Sequence, residues 1–134
     1  NDHMPDYVVR RIQAGLNERE LPVRGRTVMV CGLAYKADTS DARETPTRAI
    51  VAGLLSLGAS VLLCDPHVPL DQFPSRTERV ACDGDSPARA AADADAVVVV
   101  VPHRAFDLGA IAEAAPWVLD CTSSVPASLN VERL

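Results

Sequence analysis

The sequence predicts an α/β fold, a parallel sheet covered by helices on both faces, and three observations lead there. Short apolar runs, Val28 to Cys31, Ser60 to Cys64, Val97 to Val101 and Trp117 to Cys121, alternate with segments of helical spacing. Val28 to Cys31 and Val97 to Val101 are apolar throughout rather than at every second residue, the pattern of strands buried on both faces. Each is followed by a turn or loop, as at Gly32 or Asp65-Pro66, so the connections have room to cross over.

In chain order, Pro5 stands behind Asp2 at a helix start, and Tyr7, Val8, Ile12 and Leu16 recur at helical spacing, which predicts an amphipathic helix over 5–18. Polar residues 17–25 hand over to a first strand at 26–32. A helix over 46–57 opens at Pro46 and is closed by Gly58. A second strand, Ser60 to Cys64, leads to a loop, Pro69 to Ser75, with two prolines and no periodicity, and Glu78 to Cys82 reads as a short edge strand. Ser86 is placed to cap a helix running from Pro87 through Ala94. A fourth strand at Val97 to Val101, a helix from Phe106 to Ala115 and a last strand at Trp117 to Cys121 complete the pattern. Strands joined through helices require right-handed crossovers, so the expectation is a Rossmann-like three-layer α/β/α order of 3-2-1-4-5 preceded by an N-terminal helix. The long valine run then lies beside the first strand.

The chain has 134 residues, enough for one core, and no apolar run approaches the ~18 residues of a membrane span. A net charge of -5 with 13 basic residues argues against nucleic-acid and anionic-membrane partners. The four cysteines, at 31, 64, 82 and 121, show neither CxxC nor Cys/His spacing and read as small core residues of a reducing cytosol. Asn1 is not an initiator and no signal peptide opens the chain, so the expectation is an excised cytoplasmic domain whose upstream neighbour is missing.

The stretch Arg26 to Pro46 organises the rest. It joins a buried strand to a helix N-terminus through a charged loop holding Lys36, Asp38, Asp41, Arg43 and Glu44. In an open parallel sheet, ligands bind at the carboxyl ends of the strands where the order reverses, because backbone N–H groups and the helix dipole favour anions there. A phosphate-bearing ligand is therefore expected, contacted by Gly32 to Arg43 on one side and Pro102, His103 and Arg104 on the other. Acidic residues suit the start of a helix, which accounts for Glu44, whereas Lys36 and Arg43 need an anion or carboxylate to answer them. The loop lacks GxGxxG, and GLAYK is not a P-loop. Asp65 lies further from Gly32 than the ~20 residues of the dinucleotide fingerprint and reads first as a turn former before Pro66. His67 and His103 have no carboxylate or cysteine at ligand spacing, so no metal is expected. No GxSxG supports a hydrolase.

The run from Gly32 to Pro46, GLAYKADTSDARETP, resembles the signature GLAFKxxxDDxRESP of the nucleotide-sugar dehydrogenases, the UDP-glucose/GDP-mannose dehydrogenase family. The resemblance extends to Asn1 to Pro5 with Tyr7, Val8 and Val9, to Cys64-Asp65-Pro66, and to Val101, His103 and Phe106, which are similar to an HxxF element of the UDP-N-acetylmannosamine branch. It covers nearly the whole chain and corresponds to the C-terminal, UDP-binding domain, with residues 1–20 as a connecting helix from a missing central domain and 26–134 as the Rossmann-like core. What the resemblance implies is a domain of a cytoplasmic, NAD-dependent oxidoreductase serving polysaccharide biosynthesis. Such an enzyme takes the C6 hydroxyl of a nucleotide-sugar to a carboxylate through a thiohemiacetal on a cysteine upstream of residue 1. The central domain would make a homodimer, and the N-terminal domain would hold NAD. Tyr35, Lys36 and His103 would contact substrate, Arg43 would reach NAD, and Gly32, Asp38, Asp41 and Glu44 would shape the loop. No catalytic residue falls in this chain, and its cysteines stay structural. One departure is the absence of an arginine in the segment after Asp120, which leaves the sugar and base open. The alternative is a stand-alone or degenerate nucleotide-binding or scaffold module without catalysis.

Overall fold

Alternation along each strand divides its side chains between two cores, and that division builds the molecule. In the computed structural model, which describes residues 3–134, β1 (Thr27–Cys31) sends Val28 and Val30 to one side and Met29 and Cys31 to the other. β4 (Ala96–Val99) does the same with Ala96 and Val98 against Val97 and Val99. A strand with no polar face must sit inside a sheet covered on both sides. With β2 (Ser60–Cys64), β3 (Thr77–Arg79), β5 (Val118–Asp120) and β6 (Val131–Arg133), these strands form one wholly parallel sheet of order β3-β2-β1-β4-β5-β6. The expected Rossmann-like order 3-2-1-4-5 is present, with β1 between β2 and β4, and β6 extends it at one edge.

The helices supply the two covering layers. α1 (Met4–Glu18) and α2 (Pro46–Ser56) cover one face, burying Val8, Ile12 and Leu16 from the first and Ile50, Val51 and Leu54 from the second. α3 (Ser86–Asp93) and α4 (Leu108–Ala114) cover the other through Ala91, Ile111 and Ala112. Trp117, 1% exposed, lies under α1, with the Arg19 guanidinium 4.9 Å from its ring centroid on the outer side. Burying a ring of that size contributes roughly 4 kcal/mol as an upper estimate. Arg11 of α1 also reaches Glu132 of β6 at 2.6 Å and the Arg133 carbonyl at 3.1 Å. The helix expected as a connector is thus packed into the domain.

Several boundaries moved for local reasons. The helix start was read behind Asp2, which lies outside the described residues; α1 opens at Met4 with Pro5 in its first turn. The third strand spans only Thr77–Arg79; Val80 N–H makes the last bond to β2, to Leu63 carbonyl at 2.9 Å, and Cys82 lies beyond it in the second core. Asp85, not Ser86, holds the N-cap of α3, and Asp107 caps α4 by accepting from Ala110 N–H at 3.0 Å. The loop 69–75 contains one 3-10 turn, Leu70–Gln72. Among the described residues no helix is long and apolar enough to cross a membrane.

Gly15 is the tightest point of the α1 layer. A Cβ there would fall inside the contact radius of Trp117 Cη2, Cζ2 and Cζ3, and the ring is walled in on every side. An alanine gains about 1 kcal/mol of helix propensity but overpacks the core by roughly 1–3 kcal/mol and must move a buried indole. Gly15→Ala is expected to lower Tm by about 5 °C or more in calorimetry; an unchanged or raised Tm would show that α1 is loosely seated.

Candidate functional site

The ends of β1 and β4 come together at a point that admits no side chain. Gly32 has φ +103°, and a Cβ on it would stand 2.5 Å from Val101 Cβ and 2.7 Å from Val101 N. Only glycine tolerates both the backbone angle and the contact. Cys31 carbonyl accepts from Val100 and Val101 N–H at 2.9 and 3.3 Å, and Gly32 N–H donates to Cys64 carbonyl at 2.9 Å. The carboxyl ends of β2, β1 and β4 are therefore locked together where the strand order reverses.

Asp65, directly after β2, carries that lock into the loop. Its Oδ2 accepts from Leu33 N–H at 2.7 Å, Ala34 N–H at 2.9 Å and His103 Nε2 at 2.8 Å. Its Oδ1 accepts from the N–H groups of His67 and Val68 at 2.8 and 3.0 Å. Asp65 and His103 are each 1% exposed. His103 Nδ1 faces Asp38 N–H at 2.9 Å and so accepts, which leaves Nε2–H to donate to the carboxylate. Burial acts to raise the Asp65 pKa, but the His103 bond and the N–H groups of His67, Leu33 and Ala34 outweigh it and hold the carboxyl well below its ordinary value. Desolvating a carboxylate costs several kcal/mol. Five donors, at about 1.5–3 kcal/mol for each bond to a charged group, offset it.

The outer loop is braced by two further carboxylates. Asp38, at φ 61°, accepts Arg104 N–H on Oδ1 at 2.8 Å and Arg104 Nε on Oδ2 at 3.1 Å, and the Arg104 backbone N–H, ahead of its guanidinium, holds the Asp38 pKa low. Asp41 grips Arg43 through Nε at 3.1 Å and Nη2 at 3.0 Å and also takes Arg43 N–H, so that the arginine draws the carboxyl down to about 2. Tyr35 N–H closes the loop on Asp41 carbonyl at 2.7 Å. At the far end Thr45 caps α2 by accepting from Thr47 N–H and donates to Ala34 carbonyl, while Thr47 hydroxyl donates to Gly32 carbonyl at 2.8 Å. Glu44, just before the cap, is exposed with φ 54°.

The expected site residues divide into two groups. Tyr35, 59% exposed, and Lys36 project from the loop, and among the described residues neither the phenol nor the ammonium has a protein partner there. Tyr35 lines an open cleft of about 520 Å³ with Asp41, Arg43 and Glu44. His103, expected to contact substrate, is buried with its ring nitrogens engaged by Asp65 and the Asp38 N–H, so it positions the loop. Asp65, read first as a turn former, does accept from the turn at His67 and Val68 and in addition from Leu33, Ala34 and His103. The fold also brings a carboxylate, Asp38, to His67 and His103, with one donor atom of each within 4.8 Å. His103 Nδ1 and both Asp38 oxygens already accept from protein N–H groups there. Thr45, Thr47 and the Asp38–Arg104 pair escaped the sequence reading; Thr-Pro before a helix was the available signal for Thr45.

Two measurements follow from this geometry. A folded-state pKa below the unfolded value of about 3.9 contributes stability that is present above that pH and lost as pH falls through the folded value. Asp65→Asn is expected to cost about 3 kcal/mol at neutral pH. In urea titrations it should also flatten the fall of stability below about pH 4. A slope equal to the parent's would place the acid sensitivity elsewhere. Lys36→Ala should leave Tm within about 2 °C of the parent, and a large drop would make Lys36 structural.

Comparison with known proteins gives this geometry its family. Residues 29–126 match the UDP-glucose/GDP-mannose dehydrogenase family, UDP binding domain. The chain is similar to UDP-N-acetyl-D-mannosamine dehydrogenase of Methanococcus maripaludis, 31% identical over 106 residues, 79% of this chain and 22% of that protein. It is also similar to UDP-glucose 6-dehydrogenase of Pseudomonas aeruginosa, 38% identical over 87 residues, 62% of this chain and 19% of that one. Its fold overlays the crystal structure of NDP-N-acetyl-D-galactosaminuronic acid dehydrogenase from Methanosarcina mazei with TM-score 0.73 and 31% identity, covering 90% of this chain and 25% of that chain. The chain spans a quarter or less of the length of these relatives. With the matched residues running from β1 past the end of β5 and carrying the glycine, the charged loop and the Asp65 node, the chain belongs to the UDP-glucose/GDP-mannose dehydrogenase family, as its UDP binding domain.

Proposed function

We propose that this domain supplies the substrate-binding wall of an NAD-dependent UDP-sugar 6-dehydrogenase, which takes the C6 hydroxyl of the sugar to a carboxylate. The observation that carries the reading is the exposed Tyr35–Lys36 pair, held on a braced loop at the carboxyl end of β1 with no partner for phenol or ammonium among the described residues. A cation and an aromatic edge so placed suit a pyrophosphate and its attached groups. Lys36 supplies charge, and Tyr35 supplies area and a hydroxyl. His103 takes the role of a positioning residue, holding Asp38 and through it Arg104.

The fit to NAD rests on Arg43. Its guanidinium is 85% exposed, and its one carboxylate partner, Asp41, is itself 47% exposed, so the pair is solvent-screened and exchangeable. When NAD is bound, mainly by a domain outside this chain, it accepts hydride; Arg43 would turn from Asp41 toward its anionic groups across the cleft. The cleft beside Tyr35 is lined by Asp41, Arg43 and Glu44, and in this reading the nucleophilic cysteine is supplied from outside this chain. The remaining parts of the reading, a homodimer through a central domain and a cytoplasmic location, rest on the resemblance alone.

Affinity in such a cleft comes from two walls, whereas the ordering cost of the ligand falls in full on whichever wall is present. The 134-residue chain alone is therefore expected to bind UDP no tighter than roughly millimolar in calorimetry. It should reduce no NAD with UDP-glucose or UDP-N-acetylmannosamine. Turnover by this chain would overturn the division of roles, and micromolar UDP binding would show that one wall carries the affinity.

A further inference from the structure

In the core beneath α3 and α4, two cysteines distant in sequence meet. Cys64 ends β2 with its side chain buried, and Cys82 lies in the connector between β3 and α3, half-buried. Their sulfurs are 2.9 Å apart, inside the contact distance of two packed sulfur atoms and within about 1 Å of a bonded pair. Cys82 also lines a separate cleft of about 200 Å³ between the starts of α3 and α4, with Gly84, Asp85, Pro87, Asp107 and Ile111 among its walls. One thiol is therefore reachable from solvent and the other waits behind it. That is the arrangement of an attacking and a resolving cysteine.

We infer that Cys82 is a thiol–disulfide exchange site for low-molecular-weight disulfides, resolved by Cys64. In the first step the Cys82 sulfur, having lost its proton, attacks one sulfur of the small disulfide; a mixed disulfide forms, and the departing thiolate takes up the proton. In the second step Cys64 gives its proton to the other half of the reagent and attacks the Cys82 sulfur, forming the Cys64–Cys82 bond and releasing a second thiol. The protein loses two hydrogens and two electrons, and the reagent is reduced to two thiols.

The surroundings support the assignment of roles. The Cys82 thiol is lowered by the hydrogen bond from Cys64, with Arg79 and the Asp65 backbone N–H adding to it, whereas that same bond and burial push Cys64 up. The two other thiols are unsuited. Cys31 is wholly buried and pushed up to about 12, and Cys121, though partly exposed, is also raised to about 12 by burial. The resulting bond would enclose β3 and the segment after Asp65, and fix the connector one residue away from the carboxylate that holds the binding loop. Because the ionisable walls of the cleft are acidic, a cationic disulfide is the suitable probe.

The 134-residue chain is treated with cystamine under native conditions and followed by intact mass and peptide mapping. The expected result is loss of two of the four thiols, a product lighter by two hydrogens, and a peptide pair joined through Cys64 and Cys82. Cys64→Ala should instead hold one cysteamine group stably on Cys82, and Cys82→Ser should leave the native protein unmodified. Far-ultraviolet circular dichroism of both variants checks that they fold. A stable cysteamine adduct on the parent chain, modification first at Cys121, or no reaction of the folded parent would each overturn the inference.

Discussion

The carboxylate of Asp65 is the constraint on which the functional end of this fold depends. It sits in the interior, where an unpaired charge would be intolerable, and it is satisfied by donors from three separate places: the two residues after Gly32, the turn beginning at Pro66, and His103 beyond β4. Because the five donors come from the ends of three strands, β1, β2 and β4, satisfying the charge fixes those strand ends relative to one another. His103 extends the same constraint outward by accepting from Asp38 N–H, and Asp38 passes it to Arg104. The loop after β1 is thereby positioned by protein alone.

This division explains why two kinds of residue coexist in one short loop. The inner residues, Leu33, Ala34, Thr45 and Thr47, are buried, the first two donating to the Asp65 carboxylate and the threonine hydroxyls to the Ala34 and Gly32 carbonyls. The outer ones, Tyr35, Lys36 and Arg43, are exposed, and only Arg43 has an ionic partner, Asp41. Asp38 and Glu44 hold positive φ, a conformation that costs on the order of 1 kcal/mol in a residue other than glycine. A loop with fixed inner bonds presents outer side chains without ordering them anew, and that lowers the cost of binding.

The architecture was legible because burial on both faces leaves its mark on every central strand. Val28 to Cys31 and Val97 to Val101 have no polar alternation, which puts them inside the sheet, and right-handed crossovers then set them side by side. β6 was illegible: Val131-Glu132-Arg133 has a single apolar residue and pairs only because β5 offers an open edge. At the site, exposed charge was readable from composition, so Lys36 and Arg43 stood out. Asp65 was legible as the acceptor of a turn, which it is for His67 and Val68, but its bonds to Leu33, Ala34 and His103 depend on strand ends that meet only in three dimensions. The burial of His103 was hidden for the same reason, since it follows from the buried charge opposite it.

Hydrogen exchange of the ligand-free protein, read residue by residue at Leu33, Ala34 and Asp38, tests this account most directly. If Asp65 and His103 hold the loop unaided, those three amides should exchange as slowly as the amides of β1 and β4, because opening them requires breaking the node. Exchange of Leu33 and Ala34 at the rate of exposed loop residues, slowed only on addition of UDP, would contradict it and make the ligand the organiser of the loop.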